Sequence, residues 1–280
     1  MIRTTLVAFV LLTAPVYTAA QERPSVAIIG TGIVAGTLGP ALGARGYTVI
    51  YGSREPDRES VRDLVAQTGS NASAAAQPAA AAKADIVILT VPVRFIPEVS
   101  ASLGGLTGKI IVDIAATPRR IAADGYLELT GDSTYAERLQ KWHPQAKVVR
   151  MFIPLAIYFV DPNASGTPPT VPIVGNDPRA KEVVAKMIFD VGLDPWDAGP
   201  LRYAHALDVL GMLYLVPLQQ GRTEGVELKL LRSNIFTCLV DPRDVFEFGT
   251  PYDKQNLAQF PQPQSPTVPC EVWRAKFYGR

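Results

Sequence analysis

The sequence contains few of the residues from which metal centres and disulfide frameworks are built. Its 280 residues include only two cysteines and two histidines. That number of cysteines excludes a disulfide lattice, a cysteine-rich zinc fold and an iron–sulfur cluster held by cysteines. The histidines, His143 and His205, are far apart in the sequence, so no metal site is predicted. We interpret both as structural residues rather than catalytic ones.

An excess of charge of one sign is also lacking. Lysine and arginine total 27, and aspartate and glutamate total 26. Proteins that bind nucleic acid mainly through its phosphates carry a large positive excess, so no nucleic-acid partner is expected. With 48% hydrophobic and 19% charged residues, the chain can build a sizeable core, which excludes an intrinsically disordered protein.

The N-terminal segment between Arg3 and Glu22 has no charged residue at all. A short positive region, an apolar run at 6–12 and small residues before Gln21 are typical of a cleaved secretory signal over residues 1–20. The alternatives are an uncleaved membrane anchor and a wrongly assigned start codon. We therefore predict an exported protein, periplasmic or secreted, in preference to a membrane-anchored or cytoplasmic one.

Residues 233–280 show no hydrophobic periodicity and are rich in proline, which indicates an irregular extension. Both cysteines, Cys238 and Cys270, lie in this tail. In an oxidising compartment they can form a disulfide that closes the tail. Two separate thiols are the alternative, and the spacing alone does not decide between them.

Between residues 24 and 160, short apolar runs alternate with helical patterns. Such alternation predicts an α/β fold, a doubly wound parallel sheet of the Rossmann-like type, as a dinucleotide-binding domain. Right-handed crossovers would bring the loops that follow all the strands to one edge of the sheet. The alanine-rich segment 71–84 is predicted to be a short helix, with a low-complexity linker as the alternative. Strands are expected at 26–29, 47–51, 86–91, 110–114 and 148–153, and helices at 37–44 and 56–67.

Residues 161–232 are predicted to complete the same catalytic unit. Breaks in its last helical stretch are expected near Pro217 and Gly221, because proline and glycine interrupt helices. The expected elements are a loop over 162–172, a strand at 171–175, a helix at 178–189, an edge strand at 193–196 and a largely helical stretch over 201–231.

The first loop with a chemical signature covers residues 30–36, after a predicted strand and at the start of a helix. Gly30 and Gly32 allow a tight turn and a close approach of a pyrophosphate to the backbone amides. The N-terminus of the following helix adds unpaired N–H groups and partial positive charge. Ala35 is permitted at the third position of the motif. This context predicts dinucleotide binding, and a purely structural strand–helix turn is the alternative.

The second loop, residues 52–54, ends the second predicted strand. NAD sites usually place an acidic residue here, whereas this chain has Ser53 and Arg54. A carboxylate would repel the 2′-phosphate of NADP, and a hydroxyl and a guanidinium would bind it. Arg58 can reach the same phosphate from the next helix. The three residues together predict NADP rather than NAD, while a single arginine here is equally consistent with a solvated side chain.

Two further loops end strands at the same edge. Thr90, Val91 and Pro92 lie beside the cleft that holds the nicotinamide half in such folds, and Pro92 turns the chain away. Phe95 is predicted to pack on a ring of the cofactor, with an ordinary place in the helix–sheet core as the alternative. The stretch 113–116 ends the next strand and is a similar candidate.

Six segments together carry a family resemblance: VAIIGTGIVAGTLGPAL, YGSREP, ILTVP, KVVRMFIPLAIYF, VPIVGNDPRAKEVV and LDPWDAGPL. Over about Ser25 to Arg232 the chain resembles the NADPH-dependent deazaflavin-coenzyme (F420 type) oxidoreductases. It is also similar to the nucleotide-binding domain of the six-transmembrane ferrireductases. The chain departs from the family in its predicted export signal and in the segment from Ser233 onward.

The resemblance implies NADP as the cofactor. Val91, Phe95 and the loop 114–116 would flank the nicotinamide. Taken with the loops described above, the predicted cofactor-binding residues are Gly30, Thr31, Gly32, Ile33, Val34, Ser53, Arg54, Arg58, Thr90, Val91, Pro92, Phe95, Ile114, Ala115 and Ala116.

The sequence shows no Ser/His/Asp or Cys/His arrangement, so no catalytic acid–base residue is predicted. Hydride transfer between two flat rings needs stacking at roughly 3–3.5 Å more than it needs an acid or a base. The apolar run 151–155 is expected to hold the second ring, with a plain core strand as the alternative. The predicted function is an NADP-dependent oxidoreductase that transfers hydride between NADPH and a flavin-like or deazaflavin ring. A homodimer is a further expectation.

Two other functions stay open. One is a reductase of small imines, related to the pyrroline carboxylate reductases. The short C-terminal helical part argues against it, because those enzymes usually dimerise through a long helical domain. The other is a non-catalytic exported module that binds NADP, which the predicted export signal favours because NADPH is scarce outside cells.

Overall fold

A computed structural model describes residues 23–115, 119–222 and 226–230. The predicted signal over 1–20, the predicted extension over 233–280 and the predicted disulfide between its two cysteines lie outside these residues. Within the described part of the chain, no helix is long and apolar enough to span a bilayer.

The described residues form ten strands and eight α-helices. The strands are β1 (Val26–Ile29), β2 (Val49–Ser53), β3 (Ala72–Ala76), β4 (Ile86–Leu89), β5 (Ile110–Asp113), β6 (Arg119–Ile121), β7 (Leu127–Leu129), β8 (Lys147–Met151), β9 (Thr170–Gly175) and β10 (Asp194–Asp197). The helices are α1 (Ile33–Ala44), α2 (Glu59–Thr68), α3 (Gln77–Lys83), α4 (Ile96–Ser102), α5 (Tyr135–Trp142), α6 (Ile157–Val160), α7 (Pro178–Asp190) and α8 (Ala204–Gln219).

Eight strands form one sheet in the spatial order β10-β9-β8-β5-β4-β1-β2-β3, and β6 and β7 form a separate antiparallel ribbon. Six neighbouring strands of the sheet, from β3 to β8, run parallel. This arrangement confirms the predicted Rossmann-like α/β fold.

The last two strands, which lie beyond the segment 24–160 predicted to form the parallel sheet, run in the other direction. Strand β9 pairs antiparallel with β8, and β10 pairs parallel with β9, so both run in the reverse direction. The connection between β8 and β9 contains only the four-residue helix α6, not the full crossover helix that usually joins parallel neighbours. The loops after β9 and β10 therefore leave from the opposite edge of the sheet.

Strand β1 shows how the sheet becomes buried on both faces. Val26 and Ile28 pack into the hydrophobic cluster on one face, while Ala27 and Ile29 pack into the cluster on the other. All four side chains are fully buried. Successive residues of a strand point to opposite faces, so a parallel strand covered on both sides requires the continuous apolar run seen in the sequence.

The alanine-rich segment 71–84 is only half a helix. Its second part forms α3, as predicted, but its first part forms the edge strand β3, which pairs with β2 along its whole length. Alanine has little preference for strands. The backbone pairing offered by β2 decides the conformation, and such long-range pairing is not visible in the local sequence.

Helix α5 was not predicted, although its start carries a local signal. Thr134 and Glu137 form a capping box: the Thr134 amide donates to Glu137 Oε2 at 2.8 Å, and the Glu137 amide donates to Thr134 Oγ1 at 3.2 Å. A threonine followed by a glutamate three positions later is typical of a helix start.

The helical stretch expected over 201–231 ends earlier. Helix α8 stops at Gln219, with Pro217 in its last turn. Residues 226–230 are not helical but lie beside the start of β9, where the Thr170 amide donates to the Leu228 carbonyl at 2.7 Å. The breaks expected near Pro217 and Gly221 are therefore where the helix ends.

Candidate functional site

The loops singled out in the sequence meet at the carboxyl edge of the parallel strands. In the sheet register, Ile29 lies between Gly52 and Leu89, and Leu89 lies beside Asp113. The residues that follow these positions are consequently neighbours, and hydrogen bonds join them. The Gly30 amide donates to the Gly52 carbonyl at 3.0 Å, and the amide of Thr90 donates to the Ile29 carbonyl at 3.0 Å.

The two glycines of the first loop have different physical roles. Gly30 has φ +120°, and a Cβ there would lie 2.7 Å from Thr90 Oγ1, so the turn itself requires glycine. Gly32 has an ordinary extended conformation, with φ −88°. A Cβ on Gly32 would meet nothing within 4 Å. The glycine at position 32 therefore leaves open space in front of the backbone, which is what the approach of a pyrophosphate needs.

Helix α1 begins directly after this open space, earlier than the predicted start at Thr37. Gly32 is its N-cap and has no side chain to bond the free amides of the first turn. Those amides and the helix dipole are available to an anion. Ala35 is fully buried, as expected where the helix packs closely against the sheet. Thr31 and Val34 are half-buried, and the Ile33 side chain is 80% exposed beside the loop.

The second loop presents a hydroxyl and two guanidinium groups. Ser53 is buried, and its Oγ accepts a hydrogen bond from the Glu55 amide at 3.1 Å, so its own proton is free to be donated. Arg54 and Arg58 are exposed, and Arg58 Nε donates to Ser60 Oγ at 3.0 Å. In the part of the chain that the structure describes, neither arginine takes part in a salt bridge.

The loop after β4 holds Phe95 outside the core. Val91 is half-buried against the hydrophobic cluster that includes Ile96, which fills the core in place of Phe95. The Phe95 ring is 38% exposed, and the Arg94 guanidinium lies 4.6 Å from its centroid. The core alternative for Phe95 is therefore not what the structure shows. Pro92 is exposed and precedes a short 3₁₀ turn.

The loop after β5 is hydrogen-bonded to the carboxylate of Asp113, the last residue of that strand. Ile114 and Ala115 are half-buried, and the Ala115 amide donates to Asp113 Oδ1 at 2.9 Å. Ala116, also predicted to bind the cofactor, lies outside the described residues. The carboxyl edge thus brings together the described members of the predicted site, from the loop at 30–34 to this one.

A buried charge cluster lies beneath this edge and was missed in the sequence. Arg150 Nη2 donates to Asp208 Oδ1 at 2.9 Å, and Arg150 Nε lies 3.8 Å from Asp113 Oδ2. Burial raises the pKa of Asp113 to about 6, while the nearby Arg150 cation opposes the rise. The available signal was a charged residue surrounded by apolar ones: the arginine in VVRMF and the aspartate in ALDVL.

The run 151–155 is divided between core and surface. Met151 and Phe152 are buried, and the Phe152 ring meets Tyr214 edge-on with centroids 5.8 Å apart. Leu155 is 42% exposed, and its amide donates to Glu227 Oε1 at 3.1 Å. The core alternative therefore holds for the first two residues. Pro154 is also buried, which leaves mainly Leu155 to face a second ring.

Glu227 is a further polar group that the sequence did not reveal. Its Oε1 also accepts a hydrogen bond from the Tyr214 hydroxyl at 2.9 Å. Burial raises the pKa of the Glu227 carboxyl, because burial disfavours the charged form.

The two histidines lie on different helical elements, His143 at the end of α5 and His205 in α8. Nε2 of His143 and Oγ of Ser100 are hydrogen-bonded at 2.7 Å. Ser100 is buried, which argues against a nucleophilic role for its hydroxyl, and burial lowers the pKa of His143. His205 lies exposed near the start of α8.

Comparisons with known proteins agree with this geometry. Residues 25–117 match the family described as NADP oxidoreductase, coenzyme F420-dependent. The metalloreductase STEAP3 of Rattus norvegicus is 25% identical over 258 residues, covering 90% of this chain and 49% of that protein. The chain thus spans about half the length of this curated relative.

Solved structures share the fold. A proposed F420-dependent NADP-reductase from Arthrobacter sp. FB24 superposes with a TM-score of 0.66 at 27% identity, covering 75% of this chain and 100% of that one. A reductive aminase from Aspergillus terreus, crystallised with NADPH and ethyl-5-oxohexanoate, superposes with a TM-score of 0.54 at 18% identity, covering 71% and 63%. The comparisons confirm the predicted resemblance to the NADP-dependent oxidoreductases.

Proposed function

We propose that this chain binds NADPH at the carboxyl edge of its parallel strands and transfers hydride between the nicotinamide and a flavin-like or deazaflavin ring. The observation that carries the proposal is the pairing of an open glycine loop with a cationic loop on the adjacent strand. Gly32 leaves space at the N-terminus of α1, and Ser53 and Arg54 lie at the end of the neighbouring strand β2. The match of residues 25–117 to the F420-dependent family supports the deazaflavin acceptor.

The residues present suit a dinucleotide with a 2′-phosphate. Gly30, Gly32 and the first turn of α1 would hold the pyrophosphate, since their amides are unhindered and the helix dipole favours an anion. Ser53 would donate its hydroxyl proton to the 2′-phosphate, and Arg54 and Arg58 would neutralise it. Neither guanidinium has to break a salt bridge with a described residue before it binds such a phosphate.

The chain's contribution to the reaction is orientation and exclusion of water. NADPH, when bound, supplies the hydride from its nicotinamide ring. The half-buried Val91 and Ala115 give that end of the site an apolar floor, and the exposed Phe95 ring offers a flat surface beside it. Exposed apolar atoms of Leu155 border the place expected for the second ring. Preorganised contact of this kind lowers the barrier by fixing the reacting rings in place.

Two further proposals concern the whole protein. The charge-free segment between Arg3 and Glu22 supports export through a cleaved signal. The wide apolar surface of α8, where Leu213 and Leu218 are exposed, supports association of two copies. Neither is needed for the nucleotide chemistry.

The test is NADPH oxidation by the purified protein lacking residues 1–20, without oxygen, with FMN, FAD or coenzyme F420 as the acceptor. We expect oxidation of NADPH with at least one acceptor and little oxidation of NADH. A protein that binds NADPH but reduces none of them, and that reduces a cyclic imine, would replace the proposal with the imine reductase. A protein that binds NADPH and reduces nothing would be the non-catalytic module.

A further inference from the structure

Three charged side chains lie in the interior where β5, β8 and α8 meet. Asp113 is 0% exposed, Asp208 3% and Arg150 4%. Charged residues are almost never buried to this degree without partners, and each ion loses several kcal/mol of hydration on burial. The nucleotide chemistry described above uses none of the three directly.

The Arg150 guanidinium ties three elements together. Its Nη1 donates to the carbonyl of Asp113 at 3.3 Å and to that of Met151 at 3.0 Å, which are the last residues of β5 and β8. Its Nη2 donates to Asp208 on α8. The Asp113 carboxylate, facing Arg150, holds the Ala115 amide. These contacts therefore connect α8, through Arg150 and Asp113, to Ala115 in the loop after β5.

We infer that Asp113, Arg150 and Asp208 are a positioning unit that holds residues 114–115 in the conformation that receives the nicotinamide half of the cofactor. The inference rests on the proposed function, because it needs a dinucleotide at this edge. Asp113 acts through the backbone of Ala115, and Arg150 and Asp208 act through Asp113. None of the three is a catalytic residue.

The geometry of the sheet separates the two halves of the ligand. Ser53 and Arg54, which would bind the 2′-phosphate, lie at the end of β2, and the loop 114–115 follows β5. Two strands, β1 and β4, lie between β2 and β5, which places the two loops roughly 14 Å apart at the usual strand spacing. A change in the positioning unit should therefore weaken binding of the nicotinamide half and leave the adenosine half alone.

The experiment compares two ligands on the folded protein by titration calorimetry. NADPH engages both halves of the site, whereas 2′,5′-ADP has the adenosine half with its phosphate and no nicotinamide. In Asp208→Asn the side chain keeps its shape and loses the charge that Arg150 contacts. We expect the Kd of NADPH to rise at least tenfold and the Kd of 2′,5′-ADP to change less than twofold.

Asp197→Asn is the matched control. Asp197 pairs with Lys181 at 2.8 Å, and Lys181 is also 4% exposed, but this pair joins α7 to β10 on the reversed part of the sheet. The control should destabilise the fold and leave both affinities unchanged. Equal losses for the two ligands in Asp208→Asn, unchanged NADPH binding, or the same NADPH loss in the control would each overturn the inference. A wild type that binds neither ligand contradicts the proposed function itself.

Discussion

The side of the sheet around β1 and β2 and the side around β8 to β10 use their cations in opposite ways. Around β1 and β2, Arg54 and Arg58 are exposed and outside any salt bridge of the described residues. Around β8 to β10, Arg150 and Lys181 are buried and paired with Asp208 and Asp197. The first region keeps its positive charge available to a ligand, and the second uses it to join elements. A substitution of arginine should therefore lower stability around β8 to β10 and leave stability nearly unchanged around β1 and β2.

The largest effect is expected for Arg150→Met. Methionine keeps much of the volume but leaves Asp113 and Asp208 without their cation in the interior, which destabilises by about 3–5 kcal/mol. Urea unfolding at pH 7 measures the change. The comparison variant is Arg54→Met, on the exposed loop, which should stay within about 0.5 kcal/mol of the wild type. Similar stabilities for the two variants would remove the contrast between the regions.

The pH dependence of stability should show the same buried cluster. The pKa of Asp113 is raised from 3.8 to about 6, so between these values the folded protein holds a proton that the unfolded chain has released. The contribution of Asp113 to the free energy of unfolding is therefore greatest below about pH 4. It falls by up to about 3 kcal/mol as the pH rises through 6. Denaturant unfolding at several pH values tests this. The free energy of unfolding of Asp113→Asn should not show this decrease with pH. If it depends on pH in the same way as that of the wild type, another group is responsible for the titration.

Around β1 and β2, Gly32→Val should separate binding from folding. The valine side chain would occupy the open space in front of the loop, which the pyrophosphate needs, while its Cβ would meet no protein atom within 4 Å. We expect at least a hundredfold loss of NADPH affinity, about 2.7 kcal/mol, with little change in Tm. The control is Gly105→Val, at another exposed glycine whose added Cβ would also meet nothing. Retained affinity in Gly32→Val would move the phosphate site elsewhere.

The smallest effect concerns the choice of nucleotide. The wild type should bind NADPH at least tenfold more tightly than NADH, about 1.4 kcal/mol, which one charge-assisted pair can supply. Arg54→Ala should abolish most of this preference and leave NADH binding nearly unchanged. Fluorescence titration with both nucleotides measures the two affinities. Equal affinities in the wild type would show that Ser53, Arg54 and Arg58 do not bind the 2′-phosphate.

Most of the candidate site was predictable because its signals are local. The glycines at 30 and 32, and the serine and arginine at 53 and 54, act through turn geometry and charge within a few residues of the chain. Their positions after apolar runs indicated strand ends, and strand ends of a parallel sheet meet at one edge. The cap of α5 was equally local, as Thr134 and Glu137 show, but was overlooked.

Only the tertiary structure decided the features that depend on residues far apart in the chain, which are strand pairing, strand direction and the contacts of buried charges. Strand β3 exists because β2 offers hydrogen bonds to an alanine run, and β9 is reversed because its connection holds only a short helix. Asp113, Arg150 and Asp208 come together from elements far apart in the chain. The sequence by itself determined the loops that we propose receive a nucleotide, since their glycines, serine and arginine each lie within one short segment. It did not determine strand direction or the pairing of buried charges, since both are set by which distant segments the folded core brings into contact.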